Sequence, residues 1–140
     1  MNENKFKLYQ ATVLFSVLFS LVGFSYNVWR MEASEENEMV RTACFEMLIN
    51  LSSLEQLIFV AHYDNDLENG NPRQGWVTVG LLNDMSTLTN VAIEQKSELL
   101  KQSWATHWVD LGEDQASVDH MVTSIDNVRA EIKILLKSLE

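Results

Sequence analysis

Residues Leu8–Trp29, LYQATVLFSVLFSLVGFSYNVW, run for 22 positions without a charge. At 1.5 Å per residue such a stretch makes a helix of roughly 33 Å, about the thickness of a bilayer's hydrocarbon core. Eleven of the 22 are Leu, Val or Phe, and together they favour insertion by roughly −3 to −7 kcal/mol. That outweighs Gln10, Thr12, Asn27 and the serines, whose polar groups bond in part to their own helix. Tyr9 at one end, and Tyr26 with Trp29 at the other, stand where interfacial aromatic belts form. The pattern predicts one transmembrane helix over residues 8–30, preceded by a short tail, 1–7.

A cleaved signal peptide is the rival reading. Its apolar region is shorter, about 7 to 15 residues, and ends in small residues at the cleavage site. Here the run exits through the bulky, charged Asn27-Val28-Trp29-Arg30-Met31-Glu32, so an uncleaved anchor is expected. Lys5 and Lys7 on the short side tilt the positive-inside balance slightly toward a cytoplasmic N-terminus. The resulting expectation is a single-pass protein of a bacterial inner (cytoplasmic) membrane, with residues 31–140 in the periplasm. A cytoplasmic tail of about seven residues leaves no room for an output domain, which confines action to the membrane or the outside.

From Arg30 onward the chain holds 19 acidic against 8 basic residues, a formal charge of −11. Such a field repels phosphate backbones and anionic lipid headgroups, so nucleic acid is excluded as a partner. Cys44 is the only cysteine. No internal disulfide is available, and inside an apolar seam the thiol behaves as a small hydrophobe.

Two helical seams stand out in this region. Val40, Cys44, Met47, Leu51, Leu54, Ile58 and Ala61 alternate spacings of four and three, as do Val118, Met121, Ile125, Val128, Ile132, Leu135 and Leu139. These are a/d heptads, and they predict helices over about 34–63 and 115–139. Between them, residues 76–111 read as one long helix with a rougher seam through Leu81, Met85, Leu88, Ala92 and Leu99, and a kink near Ser103. The loop 64–75, DNDLENGNPRQG, contains the sole proline; Gly112 ends the middle helix and Asp114 caps the next. The predicted fold is all-α: a membrane helix followed by an elongated antiparallel three-helix bundle of coiled-coil type, with loop 64–75 at one end and the Gly112 turn at the other. The membrane helix is expected to run on into the first bundle helix, although Ser34 before Glu35 and Glu36 could also cap a new one.

No motif announces a reaction. There is no CxxC, HExxH, glycine-rich phosphate loop or Ser-His-Asp order, and His62, His107 and His120 lack ligand spacing. An EF-hand counted from Asp64 fails where glycine and a bidentate glutamate belong, at Asn69 and Gly75. No catalytic residue, metal ligand or cofactor is assigned. Two surfaces carry the functional expectation. Thr12, Ser16, Ser20, Gly23 and Asn27 fall within about 80° of helical arc, a small, polar face on which another membrane helix could dock. His62, Tyr63, Arg73 and Trp76 flank the loop as a partner-binding tip, in which Trp76 either caps the bundle or anchors a partner. The expected function is a non-enzymatic accessory or scaffold subunit whose partner is another membrane protein or a second copy of itself. The alternative is a ligand-sensing bundle with a pocket opened by Gln95, Trp104 and Trp108.

Overall fold

The structure, a computed structural model, describes residues 3–139. The chain is all-helical, with α1 at Glu3–Tyr63, α2 at Pro72–Ser86, α3 at Val91–His107 and α4 at Gln115–Ser138. No strand occurs among the described residues. Helix α1 contains Ser34-Glu35-Glu36 without a break, since no glycine or proline lies between Phe24 and Glu68 to stop it. Contacts divide the chain into two units, Met1–Glu38 and Met39–Glu140.

In the first unit α1 is long and apolar enough to cross a membrane, and none of its apolar window is buried. Leu14, Phe15, Phe19, Val22 and Phe24 are all more than 60% exposed. Outside the arc of Thr12, Ser16, Ser20, Gly23 and Asn27 this stretch is largely apolar, and it has no charged face to turn toward water.

The second unit is a helical bundle with one apolar core drawn from all four helices. Both predicted seams are its spine. Cys44, Met47, Leu51, Leu54, Ile58 and Ala61 of α1 are buried, as are Val118, Met121, Ile125, Val128 and Ile132 of α4. Val40 and Leu135, toward the seam ends, are partly buried and pack against this core, while Leu139, the last seam residue, is the C-cap of α4, outside the core. Three contacts tie α1 to the last part of the chain. Arg41 Nη2 donates to the Leu139 carbonyl at 2.7 Å, Arg129 Nη2 reaches Glu55 at 2.7 Å, and a His62 ring nitrogen lies 2.9 Å from the Leu111 carbonyl.

The middle segment departs from expectation: residues 76–111 are not one helix but two. The break falls at Ser86-Thr87-Leu88-Thr89-Asn90, where hydroxyls compete with the helical ladder. Ser86 Oγ bonds Asn83 O at 2.6 Å, Thr87 Oγ1 bonds Asp84 O at 2.7 Å, and Thr89 Oγ1 bonds Ser86 O at 2.6 Å. Asn90 then restarts the chain as the N-cap of α3, its side chain accepting from Ile93 N. The expected middle seam fails with the helix: Leu81, Leu88 and Leu99 are exposed. Val79 and Leu82 of α2, with Ile93, Leu100 and Trp104 of α3, are buried instead. Ser103 lies within α3, and that helix ends at His107 rather than at Leu111.

Splitting the segment also relocates the Gly112 turn. It lies beside the end of α1, where a Cβ on Gly112 would stand 3.6 Å from Leu67 and 4.0 Å from Ala61 O. A single long middle helix would have put that turn at the opposite end from loop 64–75. A second excursion through α2 and α3 brings the chain back to the same end.

Two glycines are fixed by close approach. A Cβ on Gly70 would fall 2.4 Å from Ala61 N, against backbone that cannot yield. A Cβ on Gly75 would fall within the Trp104 indole, 1.9 Å from Cζ2. Gly75→Ala is therefore expected to cost about 1–3 kcal/mol of stability by overpacking, measured by urea denaturation. In a Trp104→Phe background the same substitution should cost less, because the clash is with the second ring. Additive effects of the two changes would show that the contact is not responsible.

Candidate functional site

The small-residue face of the first unit is largely closed on itself. Thr12 Oγ1 donates to Leu8 O at 2.9 Å, Ser16 Oγ to Thr12 O at 2.9 Å, and Ser20 Oγ to Ser16 O at 2.8 Å. Each hydroxyl proton is thus satisfied by the preceding turn, which removes the cost of placing it in an apolar medium. What remains on that side is low relief: a Cβ on Gly23 would meet nothing within 4 Å, and Asn27 is exposed. A neighbouring helix would find close approach here, with the hydroxyl protons already committed.

The tip residues fall into two groups. His62 and Tyr63 stand edge to face with ring centroids 4.8 Å apart. Both meet Gln115 at the start of α4: His62 Nε2 lies 3.1 Å from its Oε1, and Gln115 Nε2 donates to the Tyr63 hydroxyl at 3.1 Å. His62 Nδ1 faces the Leu111 carbonyl, which can only accept, so that nitrogen carries a proton. Trp76 belongs to the other group. It is partly buried against the core and meets Trp108 edge to face at 6.4 Å. Arg73, in the first turn of α2, is exposed; its backbone N–H is held by Asn71 Oδ1 at 3.0 Å, with Pro72 between them.

In the loop, the carboxylates serve the turn. Asp66 Oδ1 accepts from Glu68 N and Asn69 N at 3.0 Å each, and Oδ2 accepts from Asn69 Nδ2 at 2.7 Å. The bonds from Asn69, side chain first and then backbone, hold the Asp66 carboxyl below the ordinary range. Asn65 adopts φ 51°, a left-handed conformation that asparagine tolerates better than most residues. No group of three or more metal-ligating side chains occurs among the described residues.

A network unreadable from spacing forms where α3 meets α4. Asp114 caps α4, accepting from Ala116 N and Ser117 N. The Ser117 hydroxyl gives its one proton to Asp114 Oδ2 at 2.7 Å. Its oxygen can then only accept from His107, 3.1 Å away, which places a proton on His107 Nδ1. His107 in turn stacks on His120, centroids 5.0 Å apart and planes 16° from parallel. Asp114 was legible as a cap, and Ser117 as its third helical residue. The two histidines, thirteen apart across an irregular turn, carry no periodic signal.

The pocket imagined around Gln95 and two tryptophans does not assemble. Gln95 lines an open groove of about 630 Å³ with Asn83, Thr87, Val91 and Glu98. Trp104 is fully buried over Gly75, and Trp108 is engaged with Trp76. Trp104 Nε1 and Ser97 Oγ are buried without hydrogen-bond partners; the structure gives no account of either. Cys44 is fully buried, and burial pushes its thiol up.

Comparisons with protein-family models, with curated proteins and with solved structures give no match.

The cap makes a pH prediction. Hydrogen bonds from the Ser117 hydroxyl and then its backbone N–H, with the charge of His107 adding, hold the Asp114 carboxyl below its ordinary value. The stabilisation is therefore complete above the unfolded pKa, about 3.9, and is lost as pH falls through the lower folded value. Asn in the same position still caps but cannot ionise. The stability gap between wild type and Asp114→Asn should be present at about pH 5 and close below about 4, as read by thermal melting. A gap that persists unchanged to pH 2 would sink this account.

Proposed function

We propose that the chain is a non-enzymatic, single-pass membrane protein that serves as an accessory or scaffold subunit. The observation that carries this is the contrast between two surfaces on one polypeptide. Leu8–Trp29 presents apolar side chains over most of its circumference and no charge, with none of the window buried. The region from Arg30 on carries −11 and packs one apolar core drawn from all four helices. The first surface matches hydrocarbon as solvent and the second matches water.

In this reading the N-terminus is cytoplasmic and the acidic bundle stands in the periplasm of a bacterium. The bundle is elongated and antiparallel. Its support is the order of three contacts, in which rising positions on α1 (Arg41, Glu55, His62) meet falling positions near and along α4 (Leu139, Arg129, Gln115). The face made by Thr12, Ser16, Ser20, Gly23 and Asn27 docks a second membrane helix. Low relief favours van der Waals packing between helices in lipid, where the hydrophobic effect gives no drive. The tip around Tyr63 and Arg73 offers an exposed aromatic and an exposed cation to a protein partner.

The test is crosslinking in intact membranes, followed by affinity purification and mass spectrometry of the full-length tagged chain, with Ser20→Leu as the comparison. Capture of one specific membrane protein, reduced at least severalfold by Ser20→Leu, is the expected result. Recovery of the chain in the soluble fraction, or a partner set indifferent to Ser20→Leu, would overturn it. A C-terminal alkaline phosphatase fusion checks the orientation: activity is expected, and an inactive but intact fusion reverses the topology.

A further inference from the structure

Helix α1 carries a second seam on the side away from the core. Phe45, Ile49, Ser52, Gln56, Phe59 and Tyr63 are spaced four, three, four, three and four apart, within about 80° of helical arc. All six are exposed, at 53% for Phe45, 60% for Ile49 and 58% for Tyr63. Phe59 and Tyr63 pair their rings at 5.7 Å. Phe45, Ile49, Ser52 and Gln56 line a shallow depression of about 450 Å³, so the strip offers both projecting side chains and hollows.

The charge on this strip decides what covers it. From Arg30 onward 27 of 111 residues are charged, 19 of them acidic, yet the six seam residues carry no charge. Leu48 and Val60, each about 20° outside its arc, carry none either. Of the acidic residues beside it, Glu55 is occupied by Arg129, and Glu46 lies at the margin. A basic partner would be selected by carboxylates along the contact, and the six seam positions offer none. Two copies of an acidic domain repel wherever charged faces meet, because a two-fold interface sets each residue against the same patch on its partner. A neutral apolar strip is the surface along which such copies can approach.

We infer that this strip is a self-association seam, at which two copies of the chain pair α1 against α1 in parallel. The spacing assigns Ile49, Gln56 and Tyr63 to a positions and Phe45, Ser52 and Phe59 to d positions. A β-branched residue at a favours two strands, and one polar residue at a fixes register at some cost in stability. Ile49 and Gln56 fill those two roles, with Gln56 meeting its counterpart across the pair. The parallel sense rests on the membrane reading above, since two chains anchored in one bilayer share a direction; the pairing through this face does not.

The test uses the full-length chain in its native membrane, with Cys44→Ala to remove the buried thiol. Gln56→Cys in that background should form a disulfide dimer under mild oxidation, because a positions across a parallel pair bring Cα atoms within about 7 Å. Gln102→Cys, exposed on α3, serves as the control and should give at least tenfold less. Ile49→Glu, a change at an exposed position, should abolish the Gln56→Cys dimer while leaving helicity unchanged. A Gln56→Cys yield no greater than the control overturns the proposal. Crosslinking between Phe45→Cys and Tyr63→Cys chains in its place, the antiparallel pattern, also overturns it. Dimerisation through Gln56→Cys by a chain that does not fractionate with membranes would refute the membrane reading and keep the seam.

Discussion

Trp104 is the largest fully buried side chain of the bundle, and it lies there because the facing helix has no side chain at Gly75. That gap brings α2 and α3 into close contact near the start of one and the end of the other. With the two helices locked at this point, Trp76 and Trp108, the next aromatics outward on each, meet edge to face. The chain leaving α3 then turns through 108–114 beside the end of α1, where Leu111 offers its carbonyl to His62. Asp114, Ser117, His107 and His120 come together as a consequence. A methyl group at position 75 would fall on the Trp104 indole, at the point where these two helices meet.

The outer helices of the bundle were legible because each is long and buries a single face. Seven positions in heptad register leave little room for another reading, and the burial along α1 and α4 follows that register closely. The middle segment misled for a physical reason. Leu81, Leu88 and Leu99 fall in heptad register with Met85 and Ala92, but a register is only as good as the helix that carries it. The hydroxyls of Ser86, Thr87 and Thr89, with Asn90 as a cap, were present in the sequence as a stop and a restart. Apolar spacing is a statistical pattern over many residues, whereas a capping bond acts at one place, and here the local bonds prevail. Two short helices have one side each for the core, and it is not the side that the heptad spacing selects.

Site residues were legible in proportion to how local their contacts are. The back-bonded hydroxyls of Thr12, Ser16 and Ser20 and the cap at Asp114 follow from neighbours in the chain. The position of Trp76 at the start of the second bundle helix was legible, whereas its edge-to-face contact with Trp108 was not. The stacking of His107 on His120 and the meeting of Tyr63 with Gln115 depend on which end of the bundle receives the 108–114 turn. That in turn depends on the break at 87–90, so an error in one element carried over to a cluster twenty residues away.

Cys44 has a consequence of its own. Its thiol is sealed on α1 within the seam facing the core, in a chain that has no other sulfhydryl. Reagents in solution reach it only during those moments when α1 separates from its neighbours. The protein therefore contains a single intrinsic clock for its own opening: the rate at which that one sulfur is modified, compared with the rate for the unfolded chain, measures how often the bundle breathes.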